Sequence, residues 1–83
     1  MTHTPHDLTA EFPGQTSQLH DLKLSDAHFA RLTERYNEVN KRIHLAETLV
    51  EPVSPDHETE LRRERMVLKD QIARLLMRPA PGA

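Results

Sequence analysis

The chain has 83 residues, with eleven Lys and Arg against thirteen Asp and Glu, a formal charge of -2, and neither Cys nor Trp. That allows one small domain and excludes a disulfide scaffold, a thiolate-ligated zinc or iron–sulfur site and a cysteine nucleophile. No global basic field draws in nucleic acid, and apolar runs such as Leu75-Leu76-Met77 fall far short of the ~20 residues that span a bilayer.

Residues 1–14 are expected to form a disordered N-terminal tail. They hold Thr, His, Pro and Gly, with Leu8 and Phe12 as bulky apolar residues, and Pro13-Gly14 is a breaker. They contain no apolar h-region, so no signal peptide is expected. A helical domain is expected over residues 15–78. Its first helix, 16–23, carries Leu19 and Leu22 three apart on one face. A helix this short is unstable alone and should fold onto longer neighbours.

The second helix is expected over 26–49. Ser25 is its expected N-cap, because a serine hydroxyl accepts from an orphan N–H of the first turn. Asp26 then complements the helix dipole. Phe29, Leu32, Tyr36, Val39, Ile43, Ala46 and Val50 recur at spacings of three and four, with no Gly or Pro between them. That is the apolar stripe of an amphipathic helix. Pro52 ends it, since the residue before a proline is steered away from helical geometry.

Ser54 is the expected N-cap of the third helix, 55–77, with Pro55 at the first helical position, where a missing N–H costs nothing. Leu61, Leu68, Ile72 and Leu75 form its main stripe, widened by Leu76. Met66, Ala73 and Met77 form a second stripe on an adjacent face, available to a partner. Residues 79–83, with two prolines, are expected to be a disordered tail.

A short connection between two long helices makes them antiparallel neighbours. Counting outward from it sets Ile43 opposite Leu61, Val39 opposite Arg65, Tyr36 opposite Leu68, Leu32 opposite Ile72 and Phe29 opposite Leu75. The expected fold is therefore all-α: a short helix followed by a long helical hairpin whose core is Phe29, Leu32, Tyr36, Val39, Ile43, Leu61, Leu68, Ile72 and Leu75. Two packed helices bury such side chains only in part, and modules of this size are marginal. A homo-oligomer, dimer or tetramer, with a four-helix-bundle or coiled-coil-like core is the expected remedy.

Arg65 interrupts the apolar stripe of the third helix. Its methylenes can pack while the guanidinium reaches water, or it can form a polar clasp with Glu38 or Asn40 on the facing helix. Such a clasp fixes register or oligomer state, as polar core groups do in coiled coils, and it predicts that Arg65→Leu raises stability while broadening the oligomer distribution.

Six histidines are present, but only His3 and His6 have the i,i+3 spacing of a helical metal pair, and they fall in the expected tail. No metal site and no cofactor is expected. Lys69 and Asp70, being adjacent, point to different faces and form no direct acid–base pair. Arg62-Arg63-x-Arg65 is a basic cluster flanked by Glu58, Glu60 and Glu64, which argues for a mixed-charge face over a nucleic-acid stripe. No phosphate-cradling loop or nucleophile arrangement is present, so no catalytic residue is expected.

Three segments carry a family resemblance. Ser25-Asp26-Ala27-His28-Phe29 resembles the S-D-P-H-F opening of the long helix in YdcH-like small bacterial proteins. Tyr36-Asn37-Glu38-Val39-Asn40 resembles their central N-E-L-D-like stretch, and Leu68-Lys69-Asp70-Gln71-Ile72 their L-K-D-E-I motif. The match runs in order from about Phe12 to Arg78. Ala27 stands where proline is usual, Asn40 where Asp is common, and Gln71 where Glu is usual. The family is a domain of unknown function. The resemblance implies a helical hairpin of the bacterial cytoplasm and carries no catalytic residue with it. The expected function is a non-enzymatic interaction or scaffolding module with an unidentified protein partner. The alternative is a regulatory protein touching nucleic acid through the Arg-rich third helix.

Overall fold

Capping residues decide where this chain divides. The computed structural model describes residues 6–77. In it four helices follow one another: α1 Leu8–Glu11, α2 Thr16–Ser25, α3 Ala27–Glu47 and α4 Pro55–Leu76. The helices α3 and α4 pack together as a hairpin, and α2 packs on α3.

The α2–α3 junction has no loop. Asp26 is at once the C-cap of α2 and the N-cap of α3, in extended geometry, and its Oδ1 accepts from the Phe29 amide at 3.1 Å. This corrects the expected Ser25 cap. Ser25 is the last residue of α2, and its hydroxyl donates to the Asp21 carbonyl at 2.9 Å. Two cap-competent residues stand side by side, and the carboxylate adds a favourable charge at the positive end of the dipole that a hydroxyl does not.

The end of α3 also differs. The helix stops at Glu47, and Leu49 adopts φ 61°. The Val50 amide donates to the Leu45 carbonyl at 3.0 Å and the Leu49 amide to that of Ala46 at 3.1 Å. This is the Schellman arrangement, with leucine where glycine is usual. Past this turn the helical period no longer applies, so Val50 leaves the expected stripe and is 67% exposed. At the start of α4, the Ser54 Oγ accepts from the His57 amide at 3.2 Å, Pro55 opens the helix, and Asp56 and Glu58 load its first turn.

The core holds Phe29, Tyr36, Val39, Ile43 and Ile72 without solvent exposure, with Leu61, Leu68 and Leu76 beside them. Leu32 and Leu75 are only half-buried against this cluster. Their expected places are taken by Thr33, also buried, and by Leu76. The spacing 29-33-36-40-43 satisfies the three-and-four rule as well as one through Leu32 does. Thr33 tolerates burial because its hydroxyl donates to the Ala30 carbonyl at 2.8 Å.

The N-terminal segment gives the largest departure. Residues 6–14 do not stand off as a tail: Leu8 is 6% exposed and Phe12 packs against the core. These two side chains are four apart, so one turn of helix places both on the same face. Leu19 and Leu22 of α2 complete this end of the core. The expected tail over 79–83 and His3 lie outside the described residues.

Candidate functional site

A polar seam runs along the side of the hairpin where the N-terminal strap, residues 6–14, crosses it. At its centre, Arg65 on α4 donates through Nη1 to the Asn40 Oδ1 on α3 at 2.9 Å. Asn40 is only 4% exposed. The clasp residues are thus divided. Arg65 and Asn40 meet, whereas Glu38 lies among the arginines of its own helix, 3.1 Å from Arg42 and 3.5 Å from Arg35. Arg35 reaches across to Glu64 in a two-pronged pair, Nε to Oε2 at 2.6 Å and Nη2 to Oε1 at 3.1 Å. That carboxylate holds the Arg35 guanidinium above its ordinary pKa.

Toward the strap, the Tyr36 hydroxyl donates to the His6 carbonyl oxygen at 2.6 Å. Glu11 accepts from two sides, with His6 Nδ1 at 2.6 Å and Lys69 Nζ at 3.2 Å. The histidine hydrogen bond is the main cause of a Glu11 pKa below the ordinary carboxylate value. Partial burial opposes it and Lys69 reinforces it. Burial pushes the Tyr36 phenol up to about 12, with Glu11 and Asp7 adding to the effect and Arg65 opposing it. These groups border an open cleft of about 230 Å³ that also touches Arg62 and Met66.

Beside the cleft, α4 presents an open apolar face. Met66 is 59% exposed and Met77 78% exposed. Ala73, between them on the same stripe, is half-buried. Val67 stands a step around the helix, 48% exposed. Of the basic cluster, Arg62 pairs with Glu58 at 2.7 Å and with Glu47 of α3 at 3.5 Å. Among the described residues, no group of three or more His, Cys, Asp or Glu is placed to hold a metal ion, and no helix is long and apolar enough to cross a membrane. His28 and His57 both lie exposed in the first turns of their helices.

Sequence spacing gives no sign of the strap contacts, since 58 residues separate Glu11 from Lys69. The one available signal was the Leu8–Phe12 spacing, which marks an apolar face on a single turn. The Arg35–Glu64 pair had no signal beyond opposite charge on facing helices.

The fold and this surface define a small all-α hairpin protein with an N-terminal cover. The family model described as "Protein of unknown function (DUF465)" matches residues 29–76, and the chain belongs to that YdcH-like family. The matched span begins inside α3 and ends with the last residue of α4, leaving α1 and α2 outside it. No curated protein and no solved structure shows a significant match to the chain.

Proposed function

We propose that this chain is a non-enzymatic interaction or scaffolding module of the bacterial cytoplasm that assembles with copies of itself, as a dimer or tetramer. The observation that carries this reading is the stripe along α4 and its C-cap, in which Met66 and Met77 are exposed and Ala73 between them is half-buried. Methionine is flexible and polarisable, and it suits faces that pack against another helix. Apolar side chains aligned on one face have a reason to be covered where scattered ones do not. A closed two-fold assembly of two hairpins forms a four-helix bundle by the shortest route.

The nucleic-acid alternative draws less support, because Arg62 is engaged by two carboxylates. Sedimentation velocity tests the reading. The wild-type chain at micromolar concentration is expected to run as a dimer or tetramer, and Met66→Glu with Met77→Glu as a monomer with unchanged helical circular dichroism. A wild-type chain that runs as a well-folded monomer overturns the reading.

A further inference from the structure

We propose that the groove beneath residues 6–12 is a docking site for the same segment of a second copy, so that assembled chains exchange their N-terminal straps. The proposal rests on the self-assembly reading above and supplies a specific joint for it.

The strap has the chemistry of a bound peptide. Leu8 is buried and Phe12 packs against the core, four residues apart. Glu11 delivers a carboxylate to Lys69 at 3.2 Å, and the His6 carbonyl accepts from the Tyr36 hydroxyl at 2.6 Å. Two apolar anchors, one ion pair and one main-chain hydrogen bond make up the recognition set of a short helical segment in a groove. Any second copy carries the same set, so the groove fits it by identity.

The groove side belongs to the hairpin. Tyr36, Arg65 and Lys69 all lie within the span shared with the family, whereas residues 6–12 lie outside it. Charge favours an acidic occupant. Arg65 is held by the neutral Asn40, and among the described residues it has no carboxylate within ion-pair distance; it borders the same cleft as Lys69, where Glu11 brings the strap's carboxylate to 3.2 Å from the lysine.

The strap is also separable. The helix α1 has four residues, far below the ~12–15 that hold a helix unaided. It connects to α2 through Pro13-Gly14, where Gly14 has φ 81° with open space around it. Short hinges of this kind are where protomers exchange elements. Finally, Met66 borders both the cleft beside the strap and the open α4 face. A second copy seated on that face stands next to the groove.

Charge reversal separates exchange from a strap that stays at home. Glu11→Lys sets two lysines against each other in its own chain, and Lys69→Glu sets two glutamates. When the two variants are mixed, each strap is complementary only to the other chain's groove. Exchange predicts heterodimer above the one-half of random pairing by native mass spectrometry. It also predicts that amide exchange over Leu8–Phe12 slows by about tenfold relative to either variant alone, as a restored charge pair allows. A mixture that behaves as the sum of its parts overturns the proposal. A wild-type arm needs no altered residue: in a mixture of isotope-labelled and unlabelled chains, exchange predicts nuclear Overhauser contacts between Leu8 of one chain and Tyr36 of the other. Contacts confined to one chain overturn exchange and leave the strap as a cover for its own groove. A wild-type oligomer without complementation removes strap exchange alone, whereas a wild-type monomer removes the Met66–Met77 assembly.

Discussion

The Tyr36 hydroxyl donates to the His6 carbonyl oxygen at 2.6 Å across 30 residues of sequence. This bond ties the strap to α3, and it requires the phenol to keep its proton. Burial first, then Glu11 and Asp7, raise that pKa from 10.0 to about 12. Between these values the folded chain holds a proton that the unfolded chain has released. Stability is therefore unaffected below pH 10 and falls as pH rises toward 12. The chain has one tyrosine, so the ultraviolet tyrosinate band reports it unambiguously. The midpoint is expected near 12 in the native protein and near 10 in denaturant. A native midpoint equal to the denatured one removes the buried bond. Tyr36→Phe is expected to lack this alkaline loss of stability.

Acid acts on the other strap contact. The Glu11 carboxylate is held below its ordinary value of 4.5, chiefly by His6, with Lys69 reinforcing and partial burial opposing. A depressed carboxylate contributes stability that is present above its unfolded pKa and lost as pH falls through the folded one. Amide protection over Leu8–Phe12 is accordingly expected to fall below pH 4.5, earlier than protection in α3. Glu11→Gln is expected to start with weaker strap protection and to show a flatter acid profile. An unchanged acid profile in that variant assigns the effect to another carboxylate.

The parts of this fold that were legible in the sequence are those fixed by local chemistry. Ser54 and Pro55 mark the start of α4 because capping and proline geometry act within a few residues. The hairpin follows from two amphipathic stripes and a short break. What escaped depends on distance or degeneracy. The α3 stripe can be drawn through Leu32 or through Thr33 and Asn40, and hydrophobicity favours the wrong choice. Thr33 bonds a carbonyl of its own helix and Asn40 meets Arg65 across the hairpin, so both are buried. Of the candidate clasp, Arg65 and Asn40 meet but Glu38 does not, because arginines of its own helix stand three and four residues away. The strap was missed because one turn carrying Leu8 and Phe12 has little meaning until a groove exists to receive it.

The left-handed residue after α3 was equally hidden, since glycine is the signal for such a position and leucine occupies it. Leu49 sits at φ 61° with 76% of its surface exposed. An L-residue with a side chain in this region carries a penalty of about 1–2 kcal/mol that glycine escapes. Glycine's greater unfolded-state entropy cancels part of that gain. Leu49→Gly is expected to stabilise the chain by about 0.5–1 kcal/mol in urea unfolding. Leu49→Ile, whose β-branch crowds the same geometry, is expected to destabilise it. A Gly variant weaker than wild type rules out a left-handed residue 49.

The Arg65–Asn40 contact revises an expectation. A clasp at the edge of the stripe predicted that Arg65→Leu raises stability, as apolar replacement of a polar core group often does. The structure places Asn40 at 4% exposure with Arg65 as a donor to its Oδ1 at 2.9 Å. Removing only the arginine takes a charge-assisted hydrogen bond from a buried side chain, and a hydrogen bond to a charged group contributes about 1.5–3 kcal/mol. Added packing by leucine offsets part of it. Arg65→Leu is therefore expected to lower stability by about 1 kcal/mol. Asn40→Leu combined with Arg65→Leu is expected to cost less than the sum of the two single substitutions, because the bond between them is lost only once. Urea unfolding of the double-mutant cycle measures the coupling between the two residues. Sedimentation of the double variant asks whether the clasp also selects one assembly, since loss of a polar group from a helical seam is expected to broaden the oligomer distribution. Additive effects of the two substitutions on stability remove the clasp as an energetic unit, and a single unchanged oligomer in the double variant removes its role in selecting the assembly.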